Sequence, residues 1–74
     1  MIKLFTKTVC PKCMVAKSFF ENNNIEYDVI NIDQDENSKQ LLVDKGFMSV
    51  PIVEHDGRFY TNITEFQSLV DDLK

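Results

Sequence analysis

Between Ile2 and Ile32 the hydrophobic period of the chain changes twice, and this limits the folds open to it more than any other feature. Ile2 to Thr6 alternates apolar and polar residues, as a half-buried strand does. From Pro11 onward the spacing is helical: Ala16, Phe19, Phe20 and Asn23 recur at i, i+3, i+4 and i+7, and Asn22-Asn23-Asn24 ends the run. Pro11 suits a first helical position, where its missing N–H leaves no hydrogen bond unmade. Tyr27 to Ile32 is again rich in β-branched and aromatic residues. Strand, helix and strand in that order predict a parallel pair joined by a right-handed crossover.

The rest of the chain completes the pattern. Asp33-Gln34-Asp35-Glu36 leads into a second helix, Glu36 to Lys45, which Gly46 closes where a left-handed residue is wanted. Pro51 to His55 and Arg58 to Tyr60 flank Asp56-Gly57, a strong signal for an antiparallel hairpin. Asn62 followed three residues later by Glu65 resembles a capping box. It opens a last helix with an apolar stripe of Ile63, Phe66, Leu69, Val70 and Leu73. The order βαβαββα predicts an α/β fold in which a four-stranded mixed sheet is flanked by three helices. With 74 residues and six phenylalanines, one domain over residues 1–74 is expected, burying roughly 60% of the surface that its unfolded chain exposes.

Both cysteines fall in one turn, Cys10-Pro11-Lys12-Cys13. A disulfide closing so short a loop removes little entropy from the unfolded chain, so it makes a poor staple. A pair that opens and closes makes better sense. Cys10 is placed at the N-cap of the first helix, where its sulfur faces unpaired N–H groups and the positive end of the macrodipole. A thiolate is favoured there, with Lys12 beside it and Lys7 the next positive charge, and the thiolate is the form that attacks disulfides. Cys13, deeper in the first turn, is within reach to resolve the resulting mixed disulfide.

Charge narrows the partners. A net charge of −4 argues against a general nucleic-acid binder. Residues 1–20 nevertheless carry Lys3, Lys7, Lys12 and Lys17 with no acid, while all 12 acids lie in residues 21–74. Those lysines read equally as a solvated face or as a positive field around the cysteines. No apolar run approaches the ~18 residues of a membrane span, and Met-Ile-Lys-Leu-Phe-Thr-Lys is interrupted by charge too soon for a signal peptide. A cytoplasmic chain without a membrane partner is expected, and in that reducing compartment paired cysteines mean redox or metal chemistry.

Metal readings fare poorly. Asp33, Asp35 and Asn37 occupy the first, third and fifth places of a calcium loop, but Ser38 stands where the sharp turn needs Gly, and Asp44 where Glu belongs. Capping of the second helix explains the acidic run better. Zinc would find only Cys10, Cys13 and His55, and His55 reads as an exposed strand residue. No metal site is expected. A non-catalytic metal-binding or interaction module with incidental cysteines is the alternative of another class.

Cys-Pro-Lys-Cys after a strand, Ser49-Val50-Pro51 before another, and a C-terminal helix together resemble the glutaredoxins and the glutaredoxin-like NrdH-redoxins. The resemblance spans nearly the whole chain and implies a thioredoxin-like fold and a dithiol–disulfide oxidoreductase. It makes Cys10 the nucleophile and Cys13 the resolving thiol. Lys7 matches a lysine that contacts a carboxylate of glutathione, although an exposed charge at a strand end is the plainer reading. Pro51 matches a cis-proline that leaves the Val50 backbone free to pair with a bound peptide; a proline at the first residue of a strand is the ordinary alternative.

The resemblance also bears on the reductant. Glutaredoxins usually carry Gly-Gly and an acidic pair ahead of the last helix, where this chain has Thr61-Asn62-Ile63-Thr64-Glu65. Only Glu65 keeps the acidic character. NrdH-redoxins have Trp-Ser-Gly-Phe-Arg-Pro over the same region, and Tyr60-Thr61 matches its start in chemistry rather than in letter. With Gly46-Phe47 shortly before Pro51, the resemblance leans to the NrdH side. That side implies electrons from thioredoxin reductase and ribonucleotide reductase as the target. A glutathione-dependent glutaredoxin is the alternative. No tightly bound cofactor is implied, and Pro11 argues against a shared iron–sulfur cluster. A monomer is expected, with specificity set by Lys7, Lys12, Val50, Tyr60, Thr61 and Asn62.

Overall fold

The computed structural model describes residues 2–74. Its elements run β1 (Ile2–Thr6), α1 (Pro11–Asn22), β2 (Tyr27–Asn31), α2 (Glu36–Asp44), β3 (Ile52–His55), β4 (Arg58–Tyr60) and α3 (Ile63–Leu73). The four strands form one mixed sheet in the order β2-β1-β3-β4. β1 runs parallel to β2, in register from Ile2↔Tyr27 to Thr6↔Asn31, and antiparallel to β3. The predicted βαβαββα order and mixed sheet are both present.

The strand period sorts the helices into two layers. Leu4 and Val53 are register partners and face one way, into a cluster with Ala16 and Phe20 of α1 and Phe66, Leu69 and Val70 of α3. Phe5 and Ile52, the next pair, face the other way, onto Leu42 of α2. The sheet therefore lies between α1 with α3 and α2 alone. Burying a large apolar side chain such as Phe20 contributes about 1.5–3 kcal/mol, and Phe20 touches Phe19, Tyr27 and Phe66 with ring centroids 5.4, 5.8 and 5.6 Å away.

Local chemistry sets the boundaries. Asp35 caps α2 by accepting from the Ser38 N–H, and Asn62 caps α3 by accepting from the Glu65 N–H. Gly46 follows α2 with φ of 84°. Asp56 and Gly57 both have positive φ, 52° and 79°, as the tight hairpin between β3 and β4 requires.

Several expectations needed correction. β2 stops at Asn31, although the Ile32 N–H still donates to the Thr6 carbonyl at 2.8 Å. Lys45 is the cap of α2 rather than its last residue, and Pro51, without an N–H for the ladder, stays outside β3. Ile63 and Leu73 are 45% and 44% exposed, because the core contact of α3 is confined to its middle turns. His55, paired with Arg58 of β4, is half-buried rather than exposed. The capping box is also displaced. The Glu65 carboxylate accepts from the Thr61 N–H at 2.6 Å and from its hydroxyl at 2.8 Å, one residue before the cap. Of the acidic run, Asp35 caps the helix while Asp33 reaches back to Thr8.

Candidate active site

Beyond β1 the chain crosses the exposed residues Lys7, Thr8 and Val9 and then enters α1. Cys10 is the N-cap, extended at φ −153° and ψ 92°, and Pro11 takes the first helical position. This arrangement follows from the sequence: proline fixes a helical φ and needs no partner for its nitrogen. Cys10 and Cys13 are joined as a disulfide with their Cα atoms 5.2 Å apart. The Cys13 N–H points at Cys10 Sγ, 3.1 Å away.

The two sulfurs differ in access. Cys13 is 1% exposed on the core side of α1, whereas Cys10 is partly open. When the disulfide is reduced, the Cys13 N–H and the positive end of the helix dipole lie against Cys10, and both favour a thiolate there. Lys12 is exposed in the same turn. The chemistry this arrangement can perform is thiol–disulfide exchange at one accessible sulfur with a second sulfur one turn away.

The segment before β3 closes over this corner. The Val50–Pro51 peptide bond is cis, and the Val50 carbonyl oxygen lies 4.0 Å from Cys10 Sγ. Beside Val50 runs a groove of about 380 Å³ between α2 and the loop after it, walled by Lys7, Lys39, Leu42, Phe47 and Met48. Lys7 thus shares a groove with Val50, and Met48 stands 98% exposed at its rim. Phe47 is held by Phe59, centroid to centroid 5.4 Å, and Lys45 Nζ sits 5.0 Å over the Phe59 ring.

The expected residues therefore fall into two groups. Cys10, Pro11, Cys13, Val50 and Pro51 meet, with Lys7 in the adjoining groove. Tyr60 packs against the core, and Thr61, Asn62 and Glu65 bond to one another at the start of α3. Among the described residues, no hydrogen bond ties that second group to the cysteines. Hydrogen bonds from Thr61, first its N–H and then its hydroxyl, hold the Glu65 carboxyl below the usual carboxylate range.

Sequence reasoning missed Lys39, Met48, Thr8 and Asp33. The Thr8 N–H donates to Asp33 Oδ2 at 2.9 Å. Strand register, which the sequence does not show, makes this contact. Parallel pairing offsets β1 and β2 by 25 positions, and the same offset carried two residues past Thr6 and Asn31 sets Thr8 beside Asp33. Lys39 and Met48 carried no sequence signal either, because only the packing of α2 on the sheet brings them to the groove.

The glutaredoxin family profile matches residues 2–60. The chain belongs to the glutaredoxin family. Glutaredoxins are thiol–disulfide oxidoreductases that use a redox-active cysteine pair, and Cys10 and Cys13 are joined as a disulfide here. The glutaredoxin-like protein NrdH of Lactococcus lactis subsp. lactis is 27% identical over 56 residues, 76% of this chain and 78% of that protein. The crystal structure of the thioredoxin-like protein BC3987 superposes with a TM-score of 0.83 at 30% identity, covering 93% of this chain and 99% of that one. NrdH-redoxin from Escherichia coli superposes with a TM-score of 0.84 over 99% of this chain and 93% of its own, and at 22% identity it attests the thioredoxin-like fold. Among the described residues, no helix is long and apolar enough to cross a membrane.

Proposed function

We propose that this glutaredoxin-like protein works as an NrdH-type redoxin, a single-domain cytoplasmic monomer that reduces protein disulfides and donates electrons to ribonucleotide reductase. The observation that carries the reading is the sulfur pair itself: the accessible Cys10 Sγ lies against the Cys13 N–H and the Val50 carbonyl, with the shielded Cys13 behind it. The Cys10 thiolate attacks one sulfur of the target disulfide and the other leaves as a thiolate. Cys13, as a thiolate, then attacks Cys10, releasing the second target thiol and forming the Cys10–Cys13 disulfide. Two electrons pass to the target, two protons are taken up there, and a reductase dithiol restores the pair.

The remaining residues support this exchange. Lys12 favours the Cys10 thiolate, Pro11 starts the helix, and Pro51 holds the Val50 backbone for pairing with an extended target segment. Lys7 meets target carboxylates in the groove it shares with Val50. Tyr60, Thr61, Asn62 and Glu65 shape the β4–α3 corner, and the Glu65 carboxylate is already engaged by Thr61. No tightly bound cofactor takes part.

One observation favours a second reading. Lys7 and Lys39 line a mostly apolar groove beside Val50, which suits a small carboxylate-bearing peptide, and glutathione is the matching reductant. Reducing the oxidised protein in parallel with glutathione plus glutathione reductase, and with thioredoxin reductase plus NADPH, separates the two. Faster reduction by thioredoxin reductase, with sustained deoxyribonucleotide formation when ribonucleotide reductase is added, is the expected result. Efficient turnover of small glutathione mixed disulfides without support of ribonucleotide reductase would give the protein to the glutathione-dependent class.

A further inference from the structure

The loop that delivers Cys10 is held to the rest of the sheet at Thr8. β1 ends at Thr6, α1 begins at Pro11, and Lys7, Thr8 and Val9 between them are exposed, Val9 to 77%. Thr8 is gripped from the β2–α2 turn by two side chains. Its N–H donates to Asp33 Oδ2 at 2.9 Å, and its hydroxyl accepts from Asn31 Nδ2 at 3.3 Å. Those two side chains brace each other, since the Asp33 N–H donates to Asn31 Oδ1 at 2.9 Å. The Gln34 N–H closes the turn on the Asn31 carbonyl at 3.0 Å. A carboxylate accepting a backbone N–H is among the stronger hydrogen bonds a protein makes.

The same carboxylate feels two lysines. The Thr8 N–H, ahead of the charges of Lys39 and Lys7, holds the Asp33 carboxyl below the usual carboxylate range, and those two lysines flank the groove beside Val50. These partners favour the charged form of Asp33.

We propose that Asp33 is a positioning residue: by gripping the Thr8 N–H it holds the Lys7–Val9 loop so that Cys10 Sγ stays over the Cys13 N–H. This rests on Cys10 being the attacking sulfur. Two effects of the carboxylate on that sulfur have opposite signs. As a nearby negative charge, Asp33 disfavours the thiolate, so removing it on Coulomb grounds lowers the Cys10 thiol pKa. As a clamp, Asp33 favours the thiolate by keeping it at the helix N-terminus, so removing it raises that pKa. The clamp dominates, because the hydrogen bond is direct whereas the charge is exposed and screened.

The test is the pH profile of Cys10 alkylation by iodoacetamide in the reduced full chain, for the wild type, Asp33→Ala and Asp33→Asn. Asn keeps an oxygen able to accept the Thr8 N–H but carries no charge. The expected result is a profile displaced upward by about half a unit in Asp33→Ala, roughly a threefold loss of rate below the thiol pKa. Asp33→Asn should recover most of it. In parallel, the reduction potential of Asp33→Ala becomes more negative, because its reduced form has lost thiolate stabilisation. The Thr8 amide should also exchange its hydrogen faster in Asp33→Ala alone. An unchanged profile in Asp33→Ala, or a downward displacement shared by both variants, overturns the proposal. If Asp33→Ala does not fold, Asp33→Ser decides, because its hydroxyl is too short to reach the Thr8 N–H: an upward shift upholds the clamp, and a wild-type or downward-shifted profile refutes it. Alkylation of Cys13 ahead of Cys10 in the wild type would instead count against the assignment of the nucleophile.

Discussion

The Cys13 N–H is directed at Cys10 Sγ across 3.1 Å, so Cys13 supplies a backbone donor to the sulfur with which it forms the disulfide. Helix capping and the disulfide join the same two residues. The contact follows from placing the two cysteines three positions apart at a helix start, where an N-cap side chain meets the N–H of the third helical residue.

From this contact the Cys10 thiol pKa is expected to lie below the unperturbed ~8.5, with Cys10 alkylated before Cys13 at neutral pH. Mass spectrometry after brief alkylation of the reduced protein checks the order. Cys13→Ser should trap a mixed disulfide at Cys10, and Cys10→Ser should abolish turnover.

Lys12 is exposed one residue beyond Pro11, in the turn that carries both cysteines. Lys12→Glu is expected to slow exchange with an acidic protein partner, by several-fold at low salt and less at high salt, because exposed charges are screened over about 10 Å at 0.1 M ionic strength. Rates measured against added NaCl decide the matter, and equal slowing at every ionic strength would assign Lys12 a role other than surface attraction.

Leu42 is the buried residue by which α2 grips its face of the sheet, against Phe5 and Ile52. Leu42→Ala is expected to destabilise the fold by about 2–5 kcal/mol, the usual range for opening such a cavity. Urea unfolding at constant m-value would measure it. Since Leu42 also walls the groove, exchange with protein disulfides should weaken in the folded variant.

Acid sensitivity should include a contribution from Glu65, whose carboxyl is held below its ordinary value first by the Thr61 N–H. A depressed folded-state pKa stabilises the protein above the unfolded value of ~4.3, and that stability is lost as pH falls through the folded value. Melting temperatures followed downward from pH 6 should therefore drop less for Glu65→Gln than for the wild type across that window. Parallel curves would show that the bond to Thr61 does not matter for stability.

What the sequence by itself determined is local in origin. The period changes over residues 2–32, Pro11 at the first helical position, Asn62 at the last N-cap and Asp56-Gly57 at the hairpin each act within a few residues, so element type and order could be read without coordinates. The same locality made the cysteine pair legible, because the N-cap contact joins residues three apart. Only the tertiary structure decided the rest. Asp33 read as part of a helix cap and proved to grip Thr8, 25 residues away, because parallel register continues past both strand ends. Glu65 turned to Thr61, His55 was half-buried, and Lys39 and Met48 reached the groove beside Val50. These outcomes depend on which strand lies next to which and on which face each helix covers, and the long-range burial that selects them leaves no periodic mark on the residues concerned.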